Sequence, residues 1–236
     1  MNGTIVNGLA IALGGFIGLF LQKSLFKNIS DKLFGAIGLI IVVLGLQGVL
    51  DYGKEVPTDI LLLIVSVALG TFLGEYWDLD DKINRFGLLI ERRFAKDTNG
   101  KFAQGLVSAT LLFAVGAMAI IGSLESGLLH KEVTLYTKSL LDFISSIVFA
   151  STFGIGVIFS AIPVVLYQGS ITLLSGLIQP LLNAIPQLIP DLSAVGSLCI
   201  LALGFNMIGA TKFKVANLLP SLIVVVILRV LITFII

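Results

Sequence analysis

FISSIVFASTFGIGVIFSAIPVVLYQGSITLLSGLIQPLLNAIPQLIP, residues 143–190, contains no charged side chain, yet Ser, Thr, Asn, Gln, Gly and Pro recur along it. A water-soluble domain would have to expose part of these 48 residues. A bilayer asks for the opposite arrangement, with backbone groups satisfied inside helices and polar side chains turned towards one another or a cavity. The stretch therefore reads as membrane interior with a polar lining. Just before it stand Lys138 and Asp142, four residues apart and hence neighbours on one helix face. Continued at 3.6 residues per turn, that face collects Ser145, Ser146, Phe149, Thr152, Gly156 and Ser160. The opposite face carries Leu140, Phe143, Ile144, Ile147, Ile155 and Ile158. Such a helix is amphipathic inside an apolar solvent. Its polar face serves either as helix–helix glue or as the wall of a passage.

Composition outside this stretch points the same way. Of 236 residues, 57% are hydrophobic and 12% charged, against about 25% charged in soluble domains. The net charge of +1 says nothing about nucleic acid, and the chain has no basic patch interleaved with aromatics to read as a nucleic-acid surface, so no nucleic-acid partner is expected. A single cysteine, Cys199, excludes a disulfide framework, and a single histidine, His130, excludes a histidine-cluster metal site. Whether oxygen ligands hold a metal stays open, and no cofactor motif is present. Catalysis is not expected: the chain has no HExxH, GxSxG, Walker or GxGxxG pattern. The apolar N-terminal run, without Lys or Arg before Lys23, reads as a retained span rather than a cleaved signal peptide.

Taking about 20 apolar residues per span, the chain is expected to cross the membrane eight times, at 4–22, 34–51, 59–76, 104–123, 139–159, 162–184, 193–211 and 217–236. Pro163 is either the break between the fifth and sixth spans or a kink within one. In the eight-span order, eleven basic residues (Lys23, Lys27, Lys32, Lys82, Arg85, Arg92, Arg93, Lys96, Lys101, Lys212 and Lys214) fall on one side. Three (Lys54, Lys131 and Lys138) fall on the other. The bias makes the first side cytoplasmic and places both termini outside. Between the third and fourth spans, residues 77–102 carry Ile83, Phe86, Ile90 and Phe94 on one stripe amid Arg85, Glu91, Arg92, Arg93 and Lys96. This is the pattern of a helix lying on the cytoplasmic leaflet.

The fold class expected is thus an all-α polytopic membrane protein: one transmembrane domain over 1–236, about eight transmembrane helices, internal repeats and one cytoplasmic interfacial helix. The clearer repeat matches Ala12-Leu-Gly-Gly-Phe-Ile-Gly18 to Ala68-Leu-Gly-Thr-Phe-Leu-Gly74 at an offset of 56. Gly14, Gly18, Gly70 and Gly74 belong to small-residue ladders that let helix backbones approach closely, and a ladder left over would serve a homodimer. A weaker echo relates Leu44-Gly-Leu-Gln47 to Leu203-Gly-Phe-Asn206.

Candidate binding residues for a cation or small polar solute are Asp142, Glu125 and Lys138 near the outer boundary and Tyr167, Gln168 and Asn206 deeper, with Asn7 and Gln47 behind them. Hard cations take carboxylate, amide, hydroxyl and carbonyl oxygens. Equally, Lys138 neutralises Asp142 in an i,i+4 pair and leaves no site. An intramembrane carboxylate costs about 2.5–3.5 kcal/mol, so its presence in a span calls for a partner or a function. Gly154, Gly156 and Pro163 mark where a helix could unwind around a permeant species. Arg229, a charge on an otherwise apolar span, either pairs with a carboxylate such as Glu75 or Asp142 or snorkels to the interface.

Five segments, Phe102-Ala-Gln-Gly-Leu-Val-Ser-Ala-Thr-Leu-Leu-Phe113, Gly116-Ala-Met-Ala-Ile-Ile-Gly-Ser-Leu124, Lys138-Ser-Leu-Leu-Asp142, Gly154-Ile-Gly-Val157 and Tyr167-Gln-Gly-Ser-Ile-Thr172, resemble the bacterial membrane family catalogued as domain of unknown function 554. The resemblance covers essentially the whole chain. It implies a polytopic inner-membrane protein, often described as a transport protein without an established substrate. Its distinctive polar positions fall on Glu125, Lys138, Asp142, Tyr167 and Gln168. The function expected is a transporter or channel for a cation or small polar solute that is not driven by ATP. The alternative is a membrane scaffold or sensor whose polar stretch is packing glue.

Overall fold

A computed structural model of the chain describes residues 1–25, 30–55, 59–85, 101–114 and 117–235. Among these, the ordered elements are helices α1 (Asn2–Leu25), α2 (Ser30–Glu55), α3 (Ile60–Trp77), α4 (Lys101–Ala114), α5 (Ala117–Leu129), α6 (Val133–Phe153), α7 (Gly156–Phe159), α8 (Ala161–Leu173), α9 (Ser175–Ala184), α10 (Leu188–Met207) and α11 (Pro220–Ile235), with a 3₁₀ turn at Val215–Leu218 before α11. No strand occurs among them.

Among the described residues, seven stretches are long and apolar enough to cross a membrane: Asn2–Leu21, Gly35–Tyr52, Ile60–Trp77, Val133–Phe153, Gly156–Leu173, Leu188–Met207 and Val215–Phe234. In place of the straight span expected at 104–123 stands the pair α4 and α5, whose axes differ by 60°, and it makes an eighth crossing if that bent pair is one span. Two other boundaries also move. The fifth span starts at Val133 rather than 139, which puts Lys138 and Asp142 inside the helix instead of at its mouth. The seventh starts at Leu188 rather than 193 and so takes Asp191 into its first turn. Of the expected interfacial helix, residues 79–85 are helical, and Phe86, Ile90 and Phe94 lie outside the described residues.

Packing groups the chain into two compact units, one of Met1–Leu33, Ile83–Ala114 and Met118–Gln179, the other of Phe34–Lys82, Val115–Ala117 and Pro180–Ile236. In the first unit α1 runs alongside α6 in the same direction. A Cβ on Gly14 would sit 2.4 Å from the Phe143 carbonyl oxygen, and one on Gly18 would sit 2.3 Å from that of Ile147. Against α8 the same helix is antiparallel: Gly8 faces Val165, while Thr4 faces Gly169. The chain therefore reverses between α6 and α8. Gly154, at φ 78°, makes the turn in a backbone region that side chains disfavour. Spans five and six are two crossings, not one kinked helix. Phe102, Phe113, Phe149, Phe153 and Phe159 from α4, α6 and α7 fill the space beside this turn, with Phe102 and Phe159 edge to face at 5.3 Å.

The second unit follows the same logic. Gly38, Gly45 and Gly48 of α2 meet Met207, Leu201 and Ser197 of the antiparallel α10, and Gly204 meets Val42 in return. The weakly matching motifs at 44–47 and 203–206 are thus on facing helices. On α3, Gly70 and Gly74 lie against Ser221 and Asn217. Both glycine ladders are engaged within the chain, so a spare ladder is no reason to expect a homodimer. Tyr52, Leu62, Leu63, Ala194, Val195 and Val225 make the apolar core of this unit.

The distribution of side chains is inverted relative to a soluble protein. Phe20, Leu61, Phe72 and Leu140 project outward at 62–82% exposure, while Asn7, Gln168, Asp191 and Asn217 are fully buried. Apolar surface on this scale belongs against lipid. On α6 the face bearing Ser146, Phe149 and Thr152 is buried, whereas Leu140 and Ile144 are exposed.

Candidate functional site

The buried stripe of α1 reads Thr4, Asn7, Ile11, Gly14 and Gly18, each three or four residues after the last. The two glycines draw α6 close at one end. At the other, the stripe presents a hydroxyl and an amide to α6 and α8. On α6, Lys138 Nζ donates to both carboxylate oxygens of Asp142, at 2.8 and 2.7 Å. Both side chains are about 8% exposed, so the pair is shielded from water. From α1, the Asn7 amide faces the Asp142 carboxylate. Asn7 Nδ2 also donates to Gln168 Oε1 of α8 at 3.2 Å. Three helices thus bring a carboxylate, an ammonium and two amides together in the interior.

This cluster is not hydrogen-bonded to completion. Asn7 Oδ1, Gln168 Nε2 and Thr4 Oγ1 are buried without a partner. Buried polar atoms are paired in the great majority of cases, and each exception calls for an explanation. Amides that reciprocate would form two bonds; here one forms and an acceptor and a donor remain. Turning both amides over leaves the same inventory, one donor and one acceptor, on the opposite residues.

The other residues expected to bind solute are placed differently. Glu125, on α5, accepts a 2.5 Å hydrogen bond from Thr134. Tyr167 is half-buried on α8, and Gln47 is exposed on α2. Asn206 is in the second unit, where its amide closes the loop after α10: Nδ2 donates to the Phe213 carbonyl at 2.7 Å, and Oδ1 accepts from Phe213 N–H and Thr211 Oγ1 at 2.8 Å each. Its oxygen is already occupied by donors. At the start of α6, Glu132 accepts from Gly3 N–H at 3.0 Å and from Ser126 Oγ at 2.9 Å. Burial alone would raise this carboxyl, but bonds from the Met1 ammonium, Ser126 and Gly3 outweigh it and hold the group below the ordinary carboxylate range.

A second buried charge cluster occupies the other unit. Arg229 on α11 grips Asp191 with two donors, Nε at 2.5 Å and Nη2 at 2.9 Å. Its Nη2 also donates to Asp59. Tyr52 Oη donates to Asp191 Oδ1 at 2.9 Å. Arg229 therefore pairs with Asp191 and Asp59, not with the Glu75 or Asp142 expected from sequence. Asp191 follows Pro190 and reads in sequence as a loop residue, which conceals this partner. Among the described residues, no three His, Cys, Asp or Glu side chains converge as a metal site.

Helices of membrane length with apolar exteriors and buried charge define a multi-spanning helical membrane protein. Its family is shown by a match over residues 2–230: the chain belongs to the family described as protein of unknown function (DUF554). It is 36% identical over 224 residues to uncharacterized membrane protein YdfK of Bacillus subtilis (strain 168), covering 95% of this chain and 93% of that one. It is 29% identical over 225 residues to uncharacterized protein YqgA of Escherichia coli (strain K12), covering 94% and 93%. No solved structure matches the chain.

Proposed function

We propose that this protein is a transporter or channel of the cytoplasmic membrane, with both termini outside, that moves a small polar solute or cation without ATP. The cluster of Asn7, Lys138, Asp142 and Gln168 is its binding site. One observation carries the reading: fully buried amides on α1 and α8 keep an acceptor and a donor unmet beside a buried ion pair. Leaving these amide atoms open in the interior costs about 1–3 kcal/mol. A binding site keeps such groups ready for a solute. Asp142 and Lys138 orient and polarise the site. Glu125, near the start of α6, shapes its approach.

The scaffold reading has its own support, since Lys138 engages both oxygens of Asp142 and neutralises that carboxylate. Flux separates the two. The purified protein in liposomes is expected to pass a gradient of at least one among sodium, potassium, protons and small neutral solutes, and Asp142→Asn is expected to reduce that flux. Wild-type protein that is monodisperse and passes none of them supports the scaffold.

A further inference from the structure

If the cluster on α1, α6 and α8 is where solute binds, its charges and open hydrogen bonds determine what it binds. From these we infer that the solute is a small uncharged molecule carrying a donor and an acceptor side by side, of the carboxamide or urea type, and that Lys138 keeps metal cations out. This rests on the transport reading above and narrows it.

Charge comes first. The ionised groups of the cluster are Lys138 and Asp142, which cancel. A metal cation would need the Asp142 oxygens, and both already accept from Lys138 Nζ. Displacing that ammonium would leave two positive charges around one carboxylate in an interior where their repulsion is poorly screened. An anion meets the mirror-image difficulty, since the ammonium is held by Asp142. The tethered cation acts as a resident competitor, and an uncharged solute leaves the pair intact.

Hydrogen bonding then specifies the solute. Asn7 Oδ1 lacks a donor, Gln168 Nε2 lacks an acceptor, and Thr4 Oγ1 takes either role. The two amides are joined by the single Asn7–Gln168 bond, so their open atoms belong to adjoining groups. A planar molecule with N–H and C=O on neighbouring atoms fits both. A metal cation finds an oxygen ligand in Asn7 Oδ1 but leaves Gln168 Nε2 without an acceptor, with its protons turned on a like charge.

Stopped-flow light scattering on liposomes containing the full chain tests this, with urea and acetamide as probes. Sodium and potassium fluxes are measured in parallel with ion-sensitive dyes. Urea and acetamide are expected to enter faster than into protein-free liposomes, with the ion fluxes unchanged. Asn7→Leu and Gln168→Met are each expected to slow entry about tenfold, the factor carried by one lost hydrogen bond of ordinary strength. Cation flux that depends on Asp142, with both neutral probes impermeant, overturns the inference and leaves the transport reading standing. Flux of neither class overturns both. Faster water entry without the probes means the open groups hold a bound water only, and it too overturns the inference. Should the variants fail to fold by gel filtration, the wild-type comparison of neutral probes with ions decides the solute class without them.

Discussion

Replacing Arg229 by methionine keeps the length and apolar stem of the side chain and removes its charge. Asp191 is fully buried and receives two of its three side-chain hydrogen bonds from this guanidinium. In the variant it keeps the Tyr52 bond alone and has no counter-charge. Asp59, with a side chain 25% exposed, relaxes towards its surroundings at little penalty. Removing one partner of a buried pair costs about 3–5 kcal/mol, chiefly through the ion left behind. For a chain of this size, where each kcal/mol shifts the midpoint by about 2–4 °C, that corresponds to roughly 10 °C. Asp191→Asn should be milder, about 1–3 kcal/mol, because Asn still accepts from Arg229 and Asp59 still neutralises it. The assay is thermal unfolding in detergent followed by the single tryptophan, Trp77, or by light scattering. Arg229→Met as stable as wild type, or less harmful than Asp191→Asn, would refute the assignment of this arginine as the structural clamp of the second unit.

Further expectations concern packing, acidity and topology. Gly14→Val should loosen the α1–α6 pair by about 3 kcal/mol or more, since its Cβ would fall 2.4 Å from the Phe143 carbonyl oxygen and 2.1 Å from Ser146 Oγ; an unchanged melting midpoint would contradict the close approach. Glu132, held below its ordinary value of 4.5, contributes stability that is present above that value and is lost as pH falls through the depressed one. Glu132→Gln should therefore lower stability by about 1 kcal/mol at neutral pH and flatten its fall below pH 4.5, read from melting curves across that range. With Cys199 replaced by alanine, Lys131→Cys should react with an impermeant maleimide added outside intact cells and Lys212→Cys only after permeabilisation. The reverse pattern would invert the proposed orientation.

Much of the fold is legible because lipid imposes a simple demand on sequence. Every crossing must be a long apolar helix, and so spans appear as runs whose ends fall within a few residues of the helices described. The buried face of α6 was legible for the same reason, as polar residues in an apolar solvent must turn inward. Where reading failed, length was a poor guide to the true end of a helix. Pro190 made Asp191 look like a loop residue, and a proline is well tolerated in the first turn of α10. Asn7 and Thr4 gave a signal in their spacing from Gly14 and Gly18, but spacing marks a face without naming its neighbours. Asn206, expected as a deep ligand, closes the loop after α10 instead.

By itself the sequence determined the class, the inward faces and the glycine ladders, all of which follow from composition and periodicity along one helix at a time. Only the tertiary structure decided which helices meet: α1 with α6 and α8, α2 with α10, α3 with α11. It also decided that Arg229 answers to Asp191, and that Asn7 and Gln168 share one bond while a donor and an acceptor stay open. The reason is physical. Facing side chains are selected by the fit of backbones at glycine contacts, such as Gly14 with Phe143 and Gly70 with Ser221, and by mutual neutralisation of charge, such as Arg229 with Asp191 and Asp59, and neither can be read along a single helix.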